Sequence, residues 1–530
     1  MGAMNDAAAG ETSVRMPVMA RNGAVASEHP LATQTGVDVL RRGGNAFDAA
    51  LAMSAVLPVV KPHRNHLGGD AFVLVWPAAE GEVTAICAGG KAPAAATPEL
   101  YASGIPQRGG LACAVPGMVD AWQEFHARWC SWPLADLLAP AIAFARDGFP
   151  VTRELALTFA AAQPMFGKHP GLARAFFGDG PAPEQGEALR QPQLAETLES
   201  IAEGGRAAFY EGALAERIAR AVCDAGGCMT PDDLAAHRAD VVKPLSSTYR
   251  GYTVYETPPQ SQGVILLEEL AIVEGFDLAG MGHLSADGIH LMVEAKKLAF
   301  EDRLRFAGDI GVSFDPARLY SVEWARERRA AIDPQRAADD ASATATSDTT
   351  SFVVVDGAGN ACSFIQSIFA HFGSAVAVDG TGIVMNNRMT GFSLDPASPN
   401  VLAPGKRTMH TLNTYLVFRG GRPYIVGNTP GADFQVQTNL QVIAGIIDYG
   451  LGAQAAIEAP RWGHANAELM LEPGITDEAA AELTRRGHRT RRVGREANPM
   501  GRAQCIVIDA ATGALSAGSD SRGEGSAGGW

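Results

Sequence analysis

Asp348-Thr349-Thr350-Ser351-Phe352-Val353-Val354-Val355-Asp356 joins two unlike halves of the chain. Before it, Asp333 to Asp348 crowds Ala, Asp, Ser and Thr together with almost no large apolar residue, so residues 333–348 read as a flexible, exposed linker. After it the pattern turns to strands: Phe352 to Asp356, Ala361 to Ile365, Ile383 to Asn386, Tyr415 to Arg419, Pro423 to Gly427 and Gln504 to Asp509, with Gly357 and Gly359-Asn360 as the first hairpin turn. Upstream, helices dominate. Ser27 is placed to cap a helix carrying Leu31, Val37 and Leu40 that stops at Gly43-Gly44, and Asn45 to cap a second from Ala46 to Leu57, stopped by Pro58. Apolar residues recur at helical spacing from Gly117 to Gly148 and from Leu189 to Ala225, and a long helical pattern covers Ile289 to Phe306. Two strands interrupt this half: the continuous apolar run Ala71 to Trp76 after Gly68-Gly69-Asp70, suited to burial on both faces, and Val254 to Thr257, halted by Pro258-Pro259.

The junction also carries chemistry. If the Thr349 hydroxyl attacks the Asp348 carbonyl, the amide becomes an ester, water cleaves it, and Thr349 gains a free α-amine. Such an amine has a pKa of about 7.7 to 8.0, so near neutral pH it accepts the hydroxyl proton of its own residue and no histidine base is needed. The plain alternative is that Thr-Thr opens a strand because β-branched residues favour strands.

Composition narrows the field. The chain has 530 residues, 47% hydrophobic and 19% charged, enough for a large enclosed site and incompatible with general disorder. Its formal net charge of −15 repels a phosphate backbone, so no nucleic-acid partner is expected. No apolar run approaches the roughly 18 residues of a membrane span, and residues 1–21 lack a signal-like apolar core, so no membrane association and a cytoplasmic location are expected. The seven cysteines are scattered and odd in number, which suits reduced thiols.

Other motifs are weak. Pro259-Gln260-Ser261-Gln262-Gly263 approaches a nucleophile elbow around Ser261, but proline replaces the first glycine. The final match to G-x-G-x-x-G, Gly523 to Gly528, has no room for a following helix and reads as a flexible tail. His63 and His66 lack accompanying acidic or cysteine ligands and read as loop histidines; Cys223 and Cys228 read as small core hydrophobes. No metal and no cofactor are assigned.

Several stretches together resemble the γ-glutamyltranspeptidase family of N-terminal-nucleophile hydrolases, from about Gly23 onward: Ala26-Ser27-Glu28-His29-Pro30-Leu31-Ala32, Arg42 to Ala50, Leu67-Gly68-Gly69-Asp70-Ala71-Phe72, Val115-Pro116-Gly117, and Ala145 to Phe149. Tyr249-Arg250-Gly251-Tyr252, Thr349-Thr350 with Val354-Val355-Asp356, Gly373-Ser374, Asn386-Asn387 and Asp448-Tyr449-Gly450-Leu451 complete the likeness. The resemblance implies an α+β fold, a four-layer αββα sandwich of two stacked antiparallel sheets covered by helices. It also implies a precursor cut between Asp348 and Thr349 into a large piece, 1–348, and a small one, 349–530, that stay associated. Thr349 then matches the nucleophile, Ser367 a second hydroxyl beside it, and the N–H groups of Gly431 and Ala432 the oxyanion hole. Water or an amine resolves the acyl-enzyme. The oligomeric state stays open, a dimer of processed heterodimers being one arrangement.

The pocket departs from the family. Gly89 stands where γ-glutamyl enzymes carry the arginine that clamps the substrate α-carboxylate, Phe369 where an asparagine is usual, Gly391 where an acidic residue holds the α-ammonium, and His410-Thr411 replaces a serine pair. Losing both partners of an amino-acid head group argues against glutathione. Arg388, with His410, is placed to bind a compact carboxylate, which fits a short acidic amide such as oxamate; a turn arginine on the surface is the competing reading. Oxamate amidohydrolases and cephalosporin acylases both belong to the wider family. A true γ-glutamyltransferase or glutathione hydrolase, a glutaryl acylase, a catalytically silent binding homologue and a serine hydrolase using Ser261 remain as alternatives.

Overall fold

The computed structural model describes residues 15–178, 180–309, 314–339, 349–495 and 499–530. Asp348 and residues 340–348 of the expected linker lie outside the described residues.

The strand Thr350–Asp356 alternates as a two-residue period requires: Phe352 and Val354 enter one apolar layer, Val353 and Val355 another. It pairs antiparallel with Gly23–Ser27 on one side and Ala361–Ser367 on the other. Ala361–Ser367 pairs in turn with Asp70–Trp76, and that strand with Thr84–Ala88; Asp240–Val242 and Ser526–Gly529 form the edges. A second sheet runs Val18–Ala20, Leu515–Ser519, Gln504–Ile508, Arg422–Asn428, Tyr415–Arg419, Tyr252–Glu256, Leu245–Tyr249. Among the described residues these are two seven-stranded antiparallel sheets, stacked face to face on a layer that includes Leu74, Val353, Leu416, Phe418, Val426 and Ile506.

Helices close both outer faces. Pro30–Arg41, Ala46–Val60, Met118–Trp129 and Leu134–Asp147 share an apolar cluster with Val73, Phe352 and Phe364 of the first sheet. Gly263–Val273, Ala286–Phe306 and Phe434–Ile447 share one with Val254, Tyr415 and Ile425 of the second. The αββα sandwich is therefore the architecture observed. Each sheet mixes strands from before and after Thr349. No helix among the described residues is long and apolar enough to cross a membrane.

Local differences have identifiable causes. Ser27 ends a strand, opposite Phe352 and Ser526, so the cap of the first helix passes to His29, whose Nδ1 accepts from the Leu31 N–H at 3.2 Å. The second helix starts as read, with Asn45 and Asp48 forming a reciprocal capping box, but it continues through Pro58 to Val60. Pro58 has no N–H to give the Ser54 carbonyl, and the Gln366 side chain donates to that oxygen instead, at 3.1 Å. The strand read from Ile383 to Asn386 is only Ile383–Val384, because the Asn386 amide turns to the carbonyls of Gly68 and Ala114. Cys223 is exposed and Cys228 half-buried where the chain leaves helix Gly212–Asp224, so neither is a core residue. His63 and His66 are enclosed, and burial depresses the His66 ring to about 3.

The largest correction concerns the C-terminal glycines. Ser526–Gly529 is the edge strand beside Gly23–Ser27, and the Trp530 carbonyl accepts from the Arg21 and Asn22 N–H groups at 2.9 Å each. Small residues are required there: a Cβ on Gly528 would stand 2.8 Å from Val37 Cγ2, and one on Gly529 2.6 Å from Ala20 Cβ and 2.7 Å from the Gly23 carbonyl oxygen. Gly529→Ala is accordingly expected to destabilise the protein by about 1–3 kcal/mol, read as a lower urea midpoint at unchanged slope.

Candidate active site

Thr349 is buried at the mouth of the strand Thr350–Asp356. Register does the assembly: Thr350 faces Gln366 and Ser367 faces Asp70, so Thr349, Ser367 and Asp70 lie in a row across three strand ends. The Thr349 hydroxyl donates to Ser367 Oγ at 3.4 Å, and the Phe369 N–H donates to the same oxygen at 2.8 Å. Pairing with Gly23–Ser27 stops at Phe352, which leaves the Ser351 N–H to Glu28 Oε1, at 3.0 Å. Arg64 Nη1 holds the other Glu28 oxygen at 3.0 Å, while the Arg64 carbonyl accepts from Ile368 N–H at 3.1 Å. This buried pair thus braces two of the three strands of the row, Thr350–Asp356 and Ala361–Ser367. Burial, only partly offset by Arg64, pushes the Glu28 carboxyl up to about 7.

Asp70 gathers the pocket. Its Oδ1 accepts from the Gly90 N–H at 3.1 Å, and its Oδ2 from Arg388 Nε at 2.9 Å and His410 Nε2 at 3.1 Å. Burial opposes the Asp70 charge, but Arg388 and His410 outweigh it and hold the carboxyl below its usual range. Arg388 is 1% exposed, which removes the surface-turn reading. Its guanidinium lies 4.4 Å over the Phe369 ring, and its Nη2 is enclosed with no acceptor among the described residues. Phe369 itself holds a left-handed backbone, φ +75°, a conformation asparagine tolerates better than phenylalanine.

His410 is a brace. Burial and then the Arg388 charge lower its ring to about 4; Nδ1 accepts from the Leu412 N–H and Nε2 donates to Asp70, so both nitrogens are engaged. Thr411 Oγ1 is enclosed and without a partner among the described residues. At Gly89 a Cβ would lie 2.5 Å from Gln260 Oε1, so the glutamine side chain occupies the space a larger residue would need. At Gly391 a Cβ would lie 2.9 Å from Thr408 Oγ1.

Gly431 and Ala432 follow the end of strand Arg422–Asn428, with φ +126° and +50°. Neither N–H donates to an acceptor among the described residues. The Gln262 amide ties this turn to the pocket, donating to the Thr411 carbonyl at 2.6 Å and the Ala432 carbonyl at 3.0 Å, and the Arg303–Asp433 pair backs it at 2.6 Å. Thr349, Ser367, Asp70, Arg388, His410, Thr411, Gln262 and Ala432 are therefore linked by hydrogen bonds, strand pairing and chain adjacency into one cluster, with Phe369 against Arg388. Ser261 does not join as a nucleophile: its hydroxyl donates to the Leu412 carbonyl at 2.7 Å and meets Thr257 at 2.7 Å, while His410 is turned to Asp70.

Asp70, Glu28 and Gln260 escaped the sequence reading as functional residues. Asp70 announces itself only as a carboxylate placed between Gly68-Gly69 and an apolar strand, Glu28 as an acid beside one; Gln260 carries no signal of its own. Because the folded Glu28 pKa lies above its unfolded value near 4.5, its contribution to stability is full below that value and is lost as pH rises through about 7. Relative to wild type, Glu28→Gln should gain in urea midpoint between pH 5 and pH 8; a pH-independent difference would contradict this.

The comparisons with known proteins agree with this architecture. Residues 32–530 match the family described as Gamma-glutamyltranspeptidase. The chain is 40% identical to the glutathione hydrolase-like YwrD proenzyme of Bacillus subtilis, over 95% of its own length and 97% of the relative's. It is 36% identical to the oxamate amidohydrolase proenzyme of Klebsiella pneumoniae, over 96% and 98%. Cephalosporin acylase from Bacillus halodurans superposes with a TM-score of 0.93 at 38% identity, covering 100% of this chain and 99% of the other. The chain belongs to the γ-glutamyltranspeptidase family of N-terminal-nucleophile hydrolases and acyltransferases.

Proposed function

We propose that this protein is an autoprocessing amidohydrolase that hydrolyses a small carboxylate-bearing amide, of the oxamate kind, through an acyl-Thr349 intermediate. The observation that carries the reading is an enclosed guanidinium with one unused edge, Arg388 Nη2, in the same bonded cluster as the Thr349 hydroxyl. A carboxylate accepting from that edge satisfies a buried donor, which contributes about 1.5–3 kcal/mol. The Klebsiella relative named for oxamate supports the assignment, while Gln260 at Gly89 and Thr408 at Gly391 speak against a γ-glutamyl head group.

On this reading the Thr349 hydroxyl attacks the Asp348 carbonyl, the resulting ester is hydrolysed, and the freed α-amine becomes the base. In turnover the amine takes the Thr349 hydroxyl proton as Oγ1 attacks the substrate carbonyl. The oxyanion is received by the Gly431 and Ala432 N–H groups, a contribution of ~10² to 10³ in rate per donor. Collapse expels the amine leaving group with that proton, and water, or an amine acceptor, then releases the acyl group. Ser367, held by the Phe369 N–H, orients the threonine. Proenzyme names among the relatives support two pieces, 1–348 and 349–530, and the mixing of their strands in both sheets supports continued association.

Denaturing electrophoresis of the purified protein is expected to give two bands that become one full-length band in Thr349→Ala; unchanged cleavage would overturn the scheme. Arg388→Lys, which keeps a cation beside Asp70 but removes the second guanidinium edge, should raise KM for oxamate about 10- to 100-fold with a smaller change in kcat. Screening oxamate against γ-glutamyl-anilide and glutaryl amides is expected to rank oxamate first, and an equal KM in Arg388→Lys would remove Arg388 from recognition.

A further inference from the structure

Helix Ala286–Phe306 presents His290 and Glu294 one turn apart on a single face, and His488, just beyond helix Asp477–Arg485, meets them there. All three are buried, none takes part in the site above, and one donor atom from each lies within 4.8 Å of the others. The protons can be placed. His290 Nε2 faces the Asp333 carbonyl at 2.8 Å, and a carbonyl only accepts, so Nε2 carries the hydrogen and Nδ1 a lone pair. His488 Nε2 stands 2.8 Å from that lone pair and donates to it.

The carboxylate is oriented too. Glu294 Oε1 accepts from Lys297 Nζ at 2.7 Å and Oε2 from the Ala338 N–H at 3.0 Å, with Oε1 4.0 Å from His488 Nε2. A neutral imidazole whose remote N–H sits on a backbone carbonyl, beside a second imidazole and a hydrogen-bonded carboxylate, is the arrangement metal-ligating histidines adopt. A cavity of about 180 Å³, lined by His488, Lys297, Asp339, His464 and Arg489, reaches the cluster at His488.

We propose that His290 Nδ1, His488 Nε2 and Glu294 Oε1 bind one divalent transition ion of the zinc class, with the fourth position facing this cavity. The N₂O donor set suits zinc or cobalt rather than calcium or magnesium. Tetrahedral ligation at about 2.1 Å sets donor atoms about 3.4 Å apart, so the two nitrogens part by roughly 0.6 Å while Glu294 Oε1 moves toward His488 Nε2 by a similar amount. His488 exchanges its Nε2 proton for one on Nδ1 as it takes the ion, and Lys297 stays as a donor to the ligating carboxylate. Since His290 and Glu294 precede Thr349 and His488 follows it, the ion bridges the two pieces; that consequence alone rests on the proposed processing.

The test uses wild type and the uncleaved Thr349→Ala precursor, both stripped with chelator. Each is titrated with zinc chloride by calorimetry and with cobalt(II) chloride by visible absorption. One ion per chain in the micromolar range or tighter, with the intense bands of tetrahedral cobalt, is expected in both proteins, so the site stands even if cleavage does not. His488→Gln and Glu294→Gln, checked for folding by circular dichroism, should each weaken binding at least tenfold. Absence of stoichiometric binding, the weak bands of six-coordinate cobalt in wild type, or affinity unmoved by either substitution would overturn the site.

Discussion

An enclosed carboxylate with three donors on it is the joint of this molecule. Asp70 takes the Gly90 amide, the Arg388 guanidinium and the His410 ring, and thereby fastens three separate stretches of chain to the mouth of one strand. A charge of this kind survives burial only while its partners are present; breaking such a pair costs about 3–5 kcal/mol, because the survivor is left uncompensated. Register then converts this electrostatic joint into a position. Asp70 faces Ser367 across the ladder, and Ser367 meets the Thr349 hydroxyl, so the anchor of Arg388 lies in the same row of strand ends as Thr349.

The positions expected to depart from the family pattern lie in tightly packed surroundings. Gln260 fills the room beside Gly89 with its side chain, and its backbone carbonyl accepts the His410 N–H at 2.7 Å, so one residue touches both the Gly89 and the His410 positions. Phe369 accepts an unfavourable left-handed backbone, and its ring provides the face on which Arg388 rests. Thr408 and Asn400 close over Gly391, Asn400 donating to the Gly391 carbonyl at 2.7 Å. The enclosed cation here is Arg388, at the start of the short helical turn Arg388–Gly391, with Asp70 and Phe369 as its partners.

What was legible in the sequence follows from what is local. The Asn45 cap, the hairpin at Gly357 to Asn360 and the doubly buried strand at Ala71 to Trp76 all depend on neighbours a few residues away, and the structure has them. Pro58 misled because the bond it forfeits is replaced from Gln366, over three hundred positions away in sequence. Ser526–Gly529 was illegible as a strand because Ser, Ala and Gly carry no β signal; it exists because close packing on Ala20 and Val37 admits nothing larger. The expected nucleophile and oxyanion residues were named through family motifs, whereas the place of Asp70 depends on three donors from distant segments that no local pattern announces.

The interleaving of strands from either side of Thr349 has a thermodynamic corollary. Neither 1–348 nor 349–530 contains a complete sheet, so neither can bury its own strand edges in isolation. On the proposed reading, scission leaves two chains whose strand edges are covered only by each other, so for them folding and association are a single event.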